Sequence, residues 1–260
     1  MVGRTRGDLN GRRDEDDSGA QGFVAAFDST GTRQWTRLVG ASQYSRASAV
    51  TTNERGRIHV TGFFTGKLAG ESNYGDTDGF VATYAPDGTR RKLEVFGTSG
   101  DDYAQAIMEG RRRGWIYVAG DTVGTFSGQD TYRYPHGFLL AMDSAGTRQL
   151  GELIGSSEEQ RGPDATIGAR GELHVAGYTR GGSTGPWTRN KGLVDGFVAT
   201  FDGNGTRRDV LHVGTPGREK VKAVATDGKE RLYVAGETAN SLDGQPYKGG
   251  EADVFLKRIR

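Results

Sequence analysis

The 260-residue sequence predicts an all-β chain built from four-stranded units in series, and three observations carry that expectation. Glycine makes up 43 residues against only 6 prolines, more than twice the ~7 % of an average chain, which calls for many turns without collagen-like or proline-rich character. The apolar share is low, at 34 %, yet it is bunched into short runs of strand length with almost no helical period, so several small cores fit better than one large one. The third observation is a repeat: Gly22-Phe23-Val24-Ala25 returns as Gly79-Phe80-Val81-Ala82, Gly137-Phe138-Leu139-Leu140, Gly196-Phe197-Val198-Ala199 and Val254-Phe255-Leu256, at steps of 57, 58, 59 and 58 residues.

Each repeat resolves into four strands. The Gly-Phe-Val-Ala strand, C, runs into a tight turn with Gly-Thr-Arg at 31–33, 88–90, 146–148 and 205–207. The Asp-x-x-Gly spacing of that turn suits a hairpin whose glycine has positive φ, and strand D follows it. Strand D ends at Gly40, Gly97, Gly155 and Gly214. A small-residue strand, A, comes next (47–52, 104–108, 164–168, 221–226). Strand B then reads Ile58-His59-Val60-Thr61-Gly62, Ile116-Tyr117-Val118-Ala119-Gly120, Leu173-His174-Val175-Ala176-Gly177 and Leu232-Tyr233-Val234-Ala235-Gly236. Four-stranded units of this length in series are the sequence form of β-propeller blades. The expected fold is a β-propeller of ~58-residue four-stranded repeats, four complete repeats plus an extra strand, giving four to five blades. Residues 1–21 form an N-terminal partial inter-strand loop; the units are about 22–78, 79–136, 137–195 and 196–252, with a partial unit 253–260. The B–C loops run roughly 17 residues, and loops of that length are where function concentrates. The strand count leaves one C strand surplus, so an open or incompletely closed arc completed by a partner is expected.

The stretches Asp101-Asp102-Tyr103-Ala104-Gln105-Ala106-Ile107, Trp115-Ile116-Tyr117-Val118-Ala119-Gly120 and Asp195-Gly196-Phe197-Val198-Ala199-Thr200-Phe201-Asp202 resemble the SBBP type of bacterial β-propeller repeat, over almost the whole chain from about residue 22. Gln21 and His136 depart from the Asp that the family places before Gly-Phe. The resemblance implies an extracellular or cell-envelope setting and supplies no general catalytic motif.

Charge excludes some functions. The 34 basic and 33 acidic residues nearly cancel, and Arg111-Arg112-Arg113 is a single basic turn without neighbouring aromatics, so no nucleic-acid partner is expected. No apolar run approaches 18 residues, so no direct membrane insertion is expected, and no export signal is visible. With no cysteine there is no disulfide framework or thiolate zinc site. His59 and His174 alternate with Tyr117 and Tyr233 at one strand-B position, which marks them as packing residues and not metal ligands. No metal and no cofactor are expected.

Candidate binding residues lie in the loops. Asp101, Asp102, Glu158 and Glu159 sit in D–A loops, where carboxylates suit a cation or a sugar hydroxyl, with Arg46 and Arg161 in the equivalent loops to pair with them. Trp187, Tyr132, Tyr134 and Tyr247 sit in B–C loops, where aromatics suit glycan stacking, protein contact or packing of the loop itself. No Gly-x-Ser-x-Gly, His-Glu-x-x-His, phosphate loop or cysteine nucleophile is present, so no catalytic residue is assigned. The expected function is a non-enzymatic binding or assembly module that presents its dissimilar B–C loops to a protein partner or another copy of itself. A glycan-binding propeller and a cryptic hydrolase or lyase are the alternatives.

Overall fold

A computed structural model describes the chain except for residues 8, 10–18, 112–113, 127, 129–133, 144–145, 156–158, 181–189 and 260. The described residues form strands and no helix, in several antiparallel sheets, and divide into two compact units, Met1–Glu109 and Gly110–Arg260.

The first unit holds a three-stranded sheet, β1 (Val2–Thr5), β2 (Gln21–Phe27) and β3 (Arg33–Leu38), and a four-stranded one, β4 (Tyr44–Thr52), β5 (Ile58–Leu68), β6 (Glu71–Tyr84) and β7 (Arg90–Phe96), each in chain order. β8 (Asp102–Glu109) ends this unit and packs on β4, β5 and β6. Val24, Val60, Phe64, Phe80 and Tyr84 bury their side chains between the sheets. Two expectations are corrected here. Residues 1–21 are not wholly loop, because Val2–Thr5 pairs with β2 as a strand-B equivalent. The long B–C loop of the first repeat is itself a hairpin: pairing runs from Phe64↔Asp78 to Leu68↔Glu71, with one irregularity between Thr65 and Lys67. Ala69 and Gly70 turn it with φ of 50° and 95°, the backbone of a two-residue turn that matches strand twist.

The second unit holds β9 (Ile116–Thr122), β10 (His136–Met142) and β11 (Arg148–Ile154), then the sheet β12 (Gln160–Ile167), β13 (Leu173–Thr179), β14 (Asp195–Phe201) and β15 (Arg207–Val213). Its last sheet is β16 (Glu219–Thr226), β17 (Leu232–Thr238) and β18 (Asp253–Arg258). β12 packs on β9 and β10, and β16 on β12, β13 and β14. Neither outer C strand is left unpaired: β2 lies between β1 and β3, and β18 pairs with β17.

The repeated residues have local physical causes. Gly31, Gly88, Gly146 and Gly205 carry φ of 82°, 79°, 77° and 82° in the C–D hairpins, where any Cβ would strain the backbone. Three of the four glycines that end strand-B motifs, Gly62, Gly177 and Gly236, face an irregularity in strand A, between Ala47 and Ala49, Arg161 and Asp164, and Val221 and Ala223. A Cβ on Gly62, Gly177 or Gly236 would lie 2.9, 2.7 and 2.9 Å from the carbonyl carbon of Arg46, Arg161 and Lys220, so the bulged strand fits only against a bare Cα. His59 and His174 are buried and pair across the sheet with Thr83 and Thr200, each Nδ1 3.0 Å from the hydroxyl.

Candidate active site

The acidic residues singled out in the D–A loops separate into two kinds. Asp102 is buried, and its Oδ2 accepts hydrogen bonds from the backbone N–H of Thr98 (2.6 Å) and the Thr98 hydroxyl (2.9 Å). Glu219 repeats this, accepting from Thr215 N–H at 2.6 Å and from the hydroxyls of Thr215 and Thr238 at 2.8 Å. Asp102 is therefore corrected from a ligand group to a staple of its own loop, while Asp101 beside it is half-exposed.

The residue before Gly-Phe staples the B–C loop in the same way. Asp78 accepts from Tyr74 N–H (2.6 Å) and Gly75 N–H (3.2 Å), and Asp195 from Lys191 N–H (2.5 Å). Both are fully buried, each leaves Oδ1 without a hydrogen-bond partner, and burial, then the charge of Asp102 or Glu219 respectively, pushes each carboxyl above its usual range. Where the resembled repeat would have Asp, Gln21 bonds Ala41 through both ends of its amide at 2.9 Å, so the departure keeps the staple without the charge.

A different arrangement surrounds Arg161 in the second unit. Its Nε lies 3.0 Å from Glu159 Oε1 and its Nη1 3.7 Å from Asp121 Oδ2. Asp121 is buried, and its Oδ1 accepts from Gly162 N–H at 2.7 Å. Glu159 also holds Arg180, with Nε 2.7 Å from Oε2. Tyr178 stands directly across the strand pair from Arg161, with Lys220 and Lys222 nitrogens 5.1 and 5.7 Å from its ring centroid. Burial pushes the Tyr178 phenol up, Arg161 opposing, so it carries its proton at neutral pH. Four cations meet two carboxylates, one of them buried, around a half-buried phenol. This cluster attracts an anion and can donate a proton to it.

The expectation that arginines pair with loop acids is met by Arg161 and Glu159. Arg46 is exposed and sits across from Phe63 in the first unit. Tyr134 is 49 % exposed. Tyr247 packs its own loop, its hydroxyl donating to Gly250 O at 2.5 Å and its N–H to Ser241 Oγ at 3.1 Å. Glu158, Tyr132 and Trp187 lie outside the described residues. Tyr178, Asp121, Arg180, Lys220 and Lys222 were not singled out from the sequence. The usable signal is the residue just after the strand-B glycine: the motif is steady up to that glycine, then changes to Phe63, Asp121, Tyr178 and Glu237.

No protein-family model matches the chain. It is similar to the regulatory protein FlaEY of Caulobacter vibrioides, 25 % identical over 273 residues covering 91 % of this chain, and spans only 28 % of that protein. Among solved structures it is similar to a gluconolactonase from Xanthomonas campestris (TM-score 0.45, 14 % identity, 93 % of this chain and 65 % of that one). It is also similar to an ulvan lyase of polysaccharide lyase family PL25 (TM-score 0.48, 11 % identity, 93 % and 61 %). Against the expectation of a non-enzymatic module, the two solved structures just named are those of enzymes. Arg161, Asp121 and Tyr178 come from three strands, so the absence of a local catalytic motif in the sequence does not bear on this cluster.

Proposed function

We propose that the chain is a β-propeller enzyme acting on an anionic saccharide, by elimination rather than hydrolysis, at the Arg161–Tyr178 cluster. The observation that carries this is a protonated, half-buried phenol set among Arg161, Arg180, Lys220 and Lys222. Hydrolysis of a glycosidic bond calls for two carboxyl groups that reach the substrate, and burial of Asp121 leaves only Glu159 for that task. Elimination beside a uronate breaks the C5–H and C4–O bonds, so it calls for cations on the carboxylate, a base for the C5 proton and a proton donor at the leaving oxygen. The exposed basic side chains serve the first role, Glu159 takes the C5 proton, and Tyr178 protonates the leaving oxygen, with Arg161, held by Asp121 and Glu159, to stabilise the phenolate left behind. The finer fold belongs to the same proposal: SBBP-like blades of about 58 residues in an incompletely closed set, in an extracellular or envelope setting. So does a protein partner or second copy, since β18 leaves Val254 and Leu256 87 % and 77 % exposed.

The test is ultraviolet absorbance of unsaturated product from a panel of polyuronates. Tyr178→Phe is expected to lower kcat roughly 10²-fold with little change in KM. Absence of unsaturated product with every polymer would sink the proposal, and new reducing ends without it would mark hydrolysis instead.

A further inference from the structure

We propose that the first unit carries a separate acidic-saccharide stacking platform built from Tyr44, Phe63 and Tyr103, flanked by Arg4 and Arg46. The rings come from β4, β5 and β8. Tyr44 stacks on Phe63 with centroids 6.0 Å apart, and Phe63 meets Tyr103 edge-on at 4.9 Å. All three are only half-buried. The core does not require them: the unit buries Val60, Phe64 and Phe80 instead, and the repeats that follow carry Asp121, Tyr178 and Glu237 at the position of Phe63. Phe63 also stands opposite Gly79 and Arg46 in the sheet, and the space a Cβ on Gly79 would take is filled by the Phe96 ring.

The charge around the rings selects the ligand. Arg4 donates from Nη1 to the Tyr44 hydroxyl at 2.9 Å and holds its guanidinium 5.9 Å from the ring centroid. Arg46 is exposed directly across the strand pair from Phe63. Half-exposed aromatic rings offer an amphipathic face to the C–H side of a pyranose, and two exposed guanidinium groups match carboxylates along a polyuronate chain. A neutral sugar would leave that charge unanswered. This goes beyond the proposed reaction: the platform binds polymer whether or not Tyr178 turns it over.

Affinity electrophoresis in gels containing sodium polygalacturonate, with dextran gels as the neutral comparison, tests the platform. The wild-type chain is expected to be retarded by polygalacturonate and not by dextran. Phe63→Ala and Tyr103→Ala should each weaken binding about tenfold, while Gly228→Ala, with nothing within 4 Å of its Cβ position, binds as wild type. Arg4→Ala and Arg46→Ala, at exposed positions where misfolding is no concern, should weaken binding and reduce its salt dependence. The platform is overturned if wild type is not retarded by polygalacturonate, if dextran retards it equally, or if the arginine variants bind unchanged. Retardation without any unsaturated product would uphold the platform and remove the catalytic reading of Tyr178.

Discussion

Replacing Gly177 by alanine tests both the strand-B motif and its link to the candidate site. A Cβ there would fall inside the van der Waals shell of the Arg161 carbonyl oxygen, 2.7 Å from the Arg161 carbonyl carbon and 3.0 Å from Gly162 Cα. Carbon atoms prefer about 3.5–4.0 Å, so β12 must retreat by roughly an ångström. The obstructing atoms are backbone, not the end of a side chain that can swing away. The cost therefore belongs at the upper end of the usual range for overpacking, about 3 kcal/mol, or a fall of roughly 6–12 °C in Tm for a chain of this size. Because the displaced residue is Arg161, its contacts to Glu159 and Asp121 should be lost together with stability. Differential scanning calorimetry and urea unfolding measure the first effect, and turnover on a polyuronate the second. Gly228→Ala is the control: nothing lies within 4 Å of its Cβ position, so it should be neutral or gain about 0.4–1 kcal/mol by restricting the unfolded chain. If Gly177→Ala melted within about 1 °C of wild type, close approach of the bulged strand would not be the reason for this glycine.

Two further predictions concern the buried acids. Glu219→Ala removes the acceptor for Thr215 N–H and for the hydroxyls of Thr215 and Thr238; it should cost about 3 kcal/mol, with Glu219→Gln costing less, and equal urea midpoints for the two variants would refute the staple. Asp78 has its carboxyl raised by burial first and by Asp102 next, so the folded state holds this proton more tightly than the unfolded chain. Its stabilisation is complete below the unfolded value near ~4 and is lost as pH rises through the folded value. Asp78→Asn, which keeps a carbonyl acceptor without the charge, should therefore gain in Tm over wild type as pH rises through that window. Parallel Tm curves across pH would mean that the carboxyl is not perturbed.

The sequence by itself determined the strands and their turns, because those depend on neighbours along the chain. Asp28-x-x-Gly31 and its copies dictate a positive-φ hairpin, and Ile116-Tyr117-Val118-Ala119-Gly120 reads as a strand whatever packs against it. The histidines, too, were legible as packing residues because they trade places with tyrosine. Where a long segment alternates more subtly, as in Phe63–Leu68 and Glu71–Thr77, hairpin and loop were not distinguishable until pairing across Ala69-Gly70 was seen. Adjacent Asp101 and Asp102 look alike in the sequence, yet only Asp102 is turned into its loop by Thr98. The candidate site lay beyond reach for the same reason. Asp121 reaches Arg161 only because β12 packs on the sheet of β9, and Lys220 and Lys222 reach Tyr178 only because β16 packs on β13. Short-range periodicity reports which face of a strand is buried; which charged groups then meet is decided by how one sheet stacks on the next, and only the tertiary structure contains that.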